Sequence, residues 1–170
     1  MLIILNYSPG DYSRVSRKSN LVKTISKFGP DFTITFEMKL TKLPNKWFNV
    51  LHLTTGKNCC GAGTRIPIVF LYSSNRKPYM YASVGMTRRL LGRRIRLEMN
   101  KQYSVKLVQA AGFFSVKING KQVWQVRSGS ATFRNVKYYW SDPWHPSAGK
   151  VAILSVPKIH QGLGLYIYIV

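Results

Sequence analysis

The chain has 170 residues, and its 26 Lys and Arg residues against five Asp and Glu residues give a formal net charge of +21. Hydrophobic residues make up 45% of the chain, which excludes a disordered basic tail, because such tails lack the apolar content needed to collapse. Five acidic residues supply few carboxylates for an acid/base or metal site. The excess of cations favours an anionic partner.

Alternating apolar and polar residues predict β-strands along most of the chain. Between Phe32 and Leu40 every second residue is apolar, and this period of two is typical of a half-buried strand. Further strands are predicted at 47–55, 66–72, 79–84, 93–99, 103–108, 113–118, 121–126, 134–140, 150–156 and 163–170. The least structured segments are 10–19, 73–78, 86–92 and 157–162.

Turn signals separate the predicted strands. Asn119-Gly120 predicts a tight hairpin between 113–118 and 121–126, because both turn positions favour positive φ. Turn residues recur often and no long helical pattern is present, which favours an all-β fold. The sequence therefore predicts one domain over residues 1–170, an antiparallel two-sheet β-sandwich.

The densest basic stretch runs from residue 88 to residue 96 and is called the basic segment below. Guanidinium groups form bidentate pairs with sulfate, phosphate or carboxylate. In a strand over 93–99, Arg94 and Arg96 project from the same face, and the preceding loop presents two more arginines. Five acids cannot neutralise 26 cations, so an anion-binding site is predicted rather than a solvated charged face. Its residues are Arg88, Arg89, Arg93, Arg94 and Arg96.

Several stretches resemble a known family. The strand pattern at 32–37, 102–107 and 114–123 resembles that of laminin-G-like, concanavalin-A-like jelly-roll domains. Three motifs are similar to those of extracellular members from cnidarians and other marine invertebrates; they are Cys59-Cys60, Arg65-Ile66-Pro67 and Ser141-Asp142-Pro143-Trp144. The resemblance covers residues 30–156.

The resemblance implies a jelly roll in which 163–170 pairs near residues 2–6, and an activity of binding carbohydrate or glycoprotein rather than catalysis. It also favours a vicinal disulfide between Cys59 and Cys60 over two free thiols. The first five residues are too short for a signal-peptide core, which leaves either a removed signal or a cytosolic protein. The family likeness implies secretion to the extracellular space.

Arg65, Trp140 and Trp144 are secondary candidates for ligand binding. An exposed indole stacks on a sugar ring or a nucleobase. The alternative is that both tryptophans close a turn onto the core, with Asp142 capping nearby backbone N–H groups. Trp47 is expected to pack against the rest of the fold.

The acidic residues and histidines argue against catalysis and metal binding. Glu37 and Glu98 each lack an acidic neighbour within four residues, whereas glycoside hydrolases need two carboxylates about 5–10 Å apart. The three histidines lie far apart in sequence and are expected to have no acidic companions that would complete a metal triad. No metal, calcium included, and no cofactor is expected, and the chain is predicted not to be an enzyme.

Three hypotheses about function follow. The leading one is a binding module for acidic or sulfated polysaccharides or for acidic glycoproteins. The second is a nucleic-acid-binding β protein that stacks bases on tyrosines, although no known RNA-binding motif is present. The third is a membrane-active, toxin-like protein attracted to anionic lipid. The oligomeric state is left open. The tyrosines of the second hypothesis are Tyr79, Tyr81, Tyr138 and Tyr139.

Overall fold

The computed structural model describes residues 2–3, 12 and 20–162. In this part of the chain the regular secondary structure is almost entirely β-strand. No helix in it is both long and apolar enough to cross a membrane. The strands are β1 (Leu2–Ile3), β2 (Asn20–Phe28), β3 (Phe32–Leu40), β4 (Phe48–Thr54), β5 (Ile68–Ser74), β6 (Lys77–Val84), β7 (Leu91–Arg96), β8 (Gln102–Ala110), β9 (Phe113–Ile118), β10 (Lys121–Arg127), β11 (Phe133–Ser141), β12 (Ala152–Leu154) and β13 (Lys158–Gln161).

The strands form two antiparallel sheets. The first sheet has seven strands among the described residues, in the order β1-β13-β3-β8-β9-β10, with β12 also paired to β3. The second sheet has six, in the order β2-β11-β4-β5-β6-β7. The predicted all-β sandwich is therefore confirmed.

The core lies between the two sheets, where their apolar faces meet. In β3 the residues at every second position from Phe32 to Leu40 are buried, as the alternation predicts. Burial of such side chains contributes about 1.5–3 kcal/mol each. The hairpin between β9 and β10 turns at Asn119 and Gly120, whose φ angles are 50° and 79°, as the dipeptide predicts.

A loop over residues 142–147 covers the outer face of β4. The N–H of Asn49 donates to the carbonyl of Pro146 at 2.7 Å, and Asn49 forms a parallel bridge with Ser147. Because one face of β4 meets the core and the other meets this loop, all seven residues of the strand are buried.

The structure differs from the sequence prediction at several strands. The pattern did not reveal β2 or β13, and β13 lies in 157–162, which was expected to be loop. The predicted strand 150–156 is a 3-10 turn at Ala148–Lys150 followed by the three residues of β12. β7 begins and ends earlier than 93–99. The strand expected at 163–170 lies outside the described residues; β1 pairs with β13.

Candidate functional site

The basic segment occupies an edge of the second sheet. Arg93, Arg94 and Arg96 lie on β7 and are exposed, while Arg88 and Arg89 are exposed on the loop before it. Within the part of the chain that the structure describes, none of these five arginines is within ion-pair distance of a carboxylate.

The arginines of β7 do not share one face. Arg94 and Arg96 lie opposite Tyr81 and Tyr79 of β6, so both project from the outer face of the sheet. Arg93 lies opposite the buried Ala82 and is on the other face. Its side chain reaches solvent because β7 is an edge strand. Arg94 and Arg96 are called the arginine pair below.

Strand register places aromatic rings beside the arginine pair. One row across β5, β6 and β7 is Tyr72, Tyr79 and Arg96. The next row is Phe70, Tyr81 and Arg94. Both rows therefore run aromatic, aromatic, arginine on the outer face. The guanidinium carbon of Arg94 lies 4.6 Å from the ring centre of Tyr79, which is within cation–π range.

Trp47 completes this aromatic surface. Its indole stacks on Tyr72, with 3.9 Å between ring centres and 12° between planes. It meets Phe70 and Tyr81 edge-on, at 5.4 and 6.0 Å. The side chain is nevertheless 42% exposed. The expectation that Trp47 packs against the fold is therefore only half right. Trp47, Phe70, Tyr72, Tyr79 and Tyr81 are called the aromatic platform below.

Gly92 leaves room for one ring of the platform. A Cβ atom built on Gly92 would lie 2.0 Å from the hydroxyl oxygen of Tyr81, far inside van der Waals contact. The missing side chain therefore allows the Tyr81 ring to lie over β7, between the arginine pair and the start of the strand.

Arg65 borders the platform from the loop between β4 and β5. Its Nε donates to the carbonyl of Asn58 at 3.0 Å, and its guanidinium carbon lies 5.7 Å from the ring centre of Phe70. Burial lowers the pKa of Arg65, an effect that Tyr81 and Asp142 partly offset. The next residues after Asn58 are Cys59 and Cys60, which are joined by a disulfide in the structure.

The Arg65 loop and the basic segment are neighbours. The N–H of Gly85 donates to the carbonyl of Arg65 at 2.7 Å, and the N–H of Gly63 donates to the carbonyl of Gly85 at 2.9 Å. Gly85 starts the loop that carries Arg88 and Arg89. The structure thus brings together two predicted groups of site residues that lie about 20 positions apart in the chain.

Two histidines flank a buried carboxylate under the loop 142–147. Oδ2 of Asp142 lies 2.9 Å from Nδ1 of His52, and Oδ1 lies 2.9 Å from Nδ1 of His145. The backbone N–H groups of Trp144 and His145 also donate to Oδ1. Burial raises the pKa of Asp142, but the hydrogen bonds from His145 and His52 outweigh it, so the pKa lies well below its usual range.

The sequence reasoning predicted only part of this cluster. Capping of backbone N–H groups by Asp142 was expected, whereas His52 and His145 were thought to lack acidic companions. His52 and Asp142 are 90 positions apart, so no local pattern reveals their contact. Nε2 of His52 lies 2.7 Å from the carbonyl of Thr64. Among the described residues, no group of three or more His, Cys, Asp and Glu side chains is placed to hold a metal ion.

The two tryptophans near this loop have different environments. Trp140 is 2% exposed and donates from Nε1 to the hydroxyl of Tyr138 at 2.9 Å. The prediction that Trp140 contacts a ligand is therefore wrong, because its ring belongs to the core. Trp144 is 38% exposed and remains available. Of the tyrosines predicted to stack bases, Tyr138 is fully buried and Tyr139 is 8% exposed.

Comparison with solved structures identifies the fold. A structure of botulinum neurotoxin type C, whose cell entry is described as dependent upon interaction with two ganglioside molecules, has a TM-score of 0.51 at 13% identity. The match covers 79% of this chain and 34% of that chain. The binding domain of botulinum neurotoxin DC in complex with SialylT has a TM-score of 0.50 at 14% identity, covering 79% and 33%. The fold is a jelly-roll sandwich.

The chain spans about a third of the length of these toxin structures. An alginate lyase from Alteromonas sp. 272 is also similar, with a TM-score of 0.47 at 7% identity, covering 79% of this chain and 70% of that chain. No protein-family model matches the sequence, and no curated protein sequence matches it. At such identities the similarity shows the fold, which by itself does not determine an activity.

Proposed function

We propose that this chain is an extracellular, non-catalytic module that binds acidic or sulfated glycans and glycoproteins. The observation that carries the proposal is the arginine pair on the outer edge of the second sheet, exposed beside an aromatic surface and not ion-paired with any described carboxylate. Two guanidinium groups on one face match the repeated anionic groups of an acidic polymer.

The remaining arginines extend this surface. Arg88 and Arg89 lie on the adjoining loop, Arg93 lies at the same sheet edge, and Arg65 is joined to that loop through Gly85. Trp144 is an additional exposed ring over the same sheet. The fold adds support, because cell entry of botulinum neurotoxin type C is described as dependent upon interaction with two ganglioside molecules and the binding domain of botulinum neurotoxin DC was solved in complex with SialylT.

The carboxylates support a non-catalytic role. The two oxygens of Asp142 are occupied by His52, His145 and backbone N–H groups. Glu98 pairs with Lys101 at 3.1 Å, and both groups are exposed. Glu37 accepts a hydrogen bond from Gln102 on the outer face of the first sheet. Glu98 follows Arg96 by two residues, Asp142 lies near Arg65 and Glu37 lies on β3 of the first sheet, so no two of these carboxylates share an element.

Binding of heparin, a polyuronate and neutral dextran at low and high salt tests the proposal. We expect binding of the acidic polymers only, with affinity that falls as a power of salt concentration. The variant Arg94→Ser/Arg96→Ser is expected to bind about tenfold more weakly and to reduce the salt slope by about two. The number of reducing ends is expected to stay constant during incubation.

The matched control is Lys39→Ser/Lys121→Ser, which removes the same charge from exposed positions of the first sheet. Equal losses in the two variants would show that only the net charge matters. Salt-resistant binding to dextran, or growth in reducing ends, would overturn the proposal. DNA and RNA oligomers and anionic vesicles, assayed in parallel, test the nucleic-acid and membrane hypotheses.

A further inference from the structure

We propose that the aromatic platform and the arginine pair form one subsite for two linked sugar units, in which one pyranose ring packs on Trp47 and the acidic group of the next unit pairs with Arg94 and Arg96. This inference rests on the proposed function and deepens it, because it names the length and the chemistry of the glycan segment that is bound.

The most exposed ring of the platform is Trp47. Tyr72 covers it at 3.9 Å, and Phe70 and Tyr81 hold it edge-on. These three contacts fix the orientation of the indole without burying it, since 42% of the side chain stays exposed. An aromatic ring that is fixed before binding loses little conformational entropy when a ligand packs on it. The C–H face of a pyranose is a ligand surface that suits such a ring.

The positively charged arginine pair lies at one side of the platform, on β7. Arg94 lies over Tyr79 at 4.6 Å, and Tyr79 stacks on Tyr72 at 5.6 Å. The cation–π contact of Arg94 leaves its N–H groups available for an acidic group, and the exposed Arg96 lies on the same face. A neutral sugar chain would therefore meet the platform but leave the arginine pair unused.

The spacing sets the length of the ligand. Trp47 stacks over Tyr72 of β5, whereas the arginine pair lies on β7, two strands away. Neighbouring strands are about 4.8 Å apart, so the backbones of β5 and β7 are separated by about 10 Å. The Arg94 guanidinium lies over Tyr79 of β6, and a ligand that packs on Trp47 and pairs with both arginines extends across these three strands, a span that suits two linked pyranose rings.

The same geometry argues against a nucleic acid as the occupant. Single-stranded nucleic acids use successive open rings on which successive bases stack. Here Tyr72 and Phe70 are 9% and 2% exposed, because neighbouring rings cover them, His145 on Phe70 included. Tyr79 and Tyr81 are half-buried, so Trp47 is the one platform ring with a largely exposed side chain, and it receives one ring.

Calorimetric titration with acidic oligosaccharides of one, two and four units tests this inference. We expect the monosaccharide to bind weakly, and affinity to rise sharply at two units and little beyond. Trp47→Ala is expected to lower the affinity for the two-unit ligand about tenfold, at both low and high salt, as truncation of an anchoring aromatic does. Uronate-only and sulfated ligands show which acidic group is preferred.

Phe113→Ala is the matched control, because Phe113 is a 37% exposed aromatic residue on the first sheet. The Phe113→Ala variant is expected to bind the two-unit ligand with the affinity of the wild type. Gly92→Ala provides a second variant that removes no contacting group. Its Cβ displaces the Tyr81 hydroxyl, and we expect weaker binding with the fold retained. Gly61→Ala, where a Cβ meets nothing within 4 Å, is its control.

The outcomes separate the two proposals. If Trp47→Ala binds like the wild type while Arg94→Ser/Arg96→Ser loses affinity, the proposed function stands and the two-unit subsite is overturned. If the wild type binds no acidic glycan, both are overturned. Full affinity for the monosaccharide contradicts the spacing argument. Tighter binding of a DNA oligomer, dependent on Trp47, would replace the glycan with a nucleic acid.

Discussion

At the scale of single residues, Asp142 is the most constrained group among the described acids. It is fully buried and accepts hydrogen bonds from two histidine rings and two backbone N–H groups. Removing one partner of a buried charged network leaves the others unpaired, which costs about 3–5 kcal/mol. Asp142 therefore holds the loop 142–147 against β4, and with it Trp144.

The lowered pKa of Asp142 gives a prediction for acid stability. Because the pKa is lower in the folded state than in the unfolded chain, the ionised carboxylate stabilises the fold above about pH 4. That stabilisation is lost as the pH falls below this value. We expect Asp142→Asn to be less stable at pH 7, with a smaller loss of unfolding free energy between pH 4 and pH 2, measured by urea denaturation.

Glu98→Gln is the control for this experiment, because Glu98 is an exposed carboxylate whose salt bridge with Lys101 is also exposed. Exposed pairs contribute about 0–1 kcal/mol, so the control should follow the pH dependence of the wild type. If Asp142→Asn and the wild type lose stability in parallel below pH 4, another group is responsible.

At the scale of elements, the loop between β4 and β5 links the disulfide to the candidate site. Arg65 donates to Asn58, directly before the two cysteines, and the loop backbone bonds to Gly85 and to Leu53 of β4. Thr54 holds the start of the loop, since its Oγ1 accepts from the N–H groups of Gly56 and Lys57. Several hydrogen bonds therefore hold the loop independently of the disulfide.

Because these hydrogen bonds hold the loop, removing the disulfide is expected to change the unfolding free energy only slightly. Cross-linking stabilises a protein by limiting the unfolded chain, and the gain grows with the size of the closed loop. Cys59 and Cys60 are adjacent, so the loop they close is minimal. We expect Cys59→Ser/Cys60→Ser to change the unfolding free energy by less than about 1 kcal/mol, measured by urea denaturation. A loss above about 2 kcal/mol would show that the bond itself supports the loop.

At the scale of the whole molecule, the net charge of +21 opposes the compact state, because like charges repel across the surface. Salt screens that repulsion over about 10 Å at 0.1 M. We therefore expect the melting temperature, followed by circular dichroism, to rise by a few degrees between about 20 and 300 mM NaCl.

Sodium sulfate at equal ionic strength distinguishes screening from anion binding. A larger rise in sulfate than in chloride indicates ions held at specific cationic sites, and Arg94→Ser/Arg96→Ser should reduce that excess. A melting temperature that falls with NaCl would show that repulsion does not limit the stability of this fold.

The sequence by itself determined the elements whose residues form an unbroken local pattern. The alternation from Phe32 to Leu40 predicted β3 at its observed bounds, and Asn119-Gly120 predicted the β9–β10 hairpin. The excess of cations determined that the surface is basic. β2 and β13 were missed because β2 buries only two of its nine residues and β13 has four residues; their pairing with longer strands decides their conformation.

Only the tertiary structure decided what the surface residues do together. The row of Phe70, Tyr81 and Arg94 depends on the register of three strands, and a shift by one residue would place the rings in the core. The contact of His52 with Asp142 depends on the path of the chain between them. Local pattern fixes which face of a strand is apolar, whereas long-range pairing fixes which side chains on the other face become neighbours.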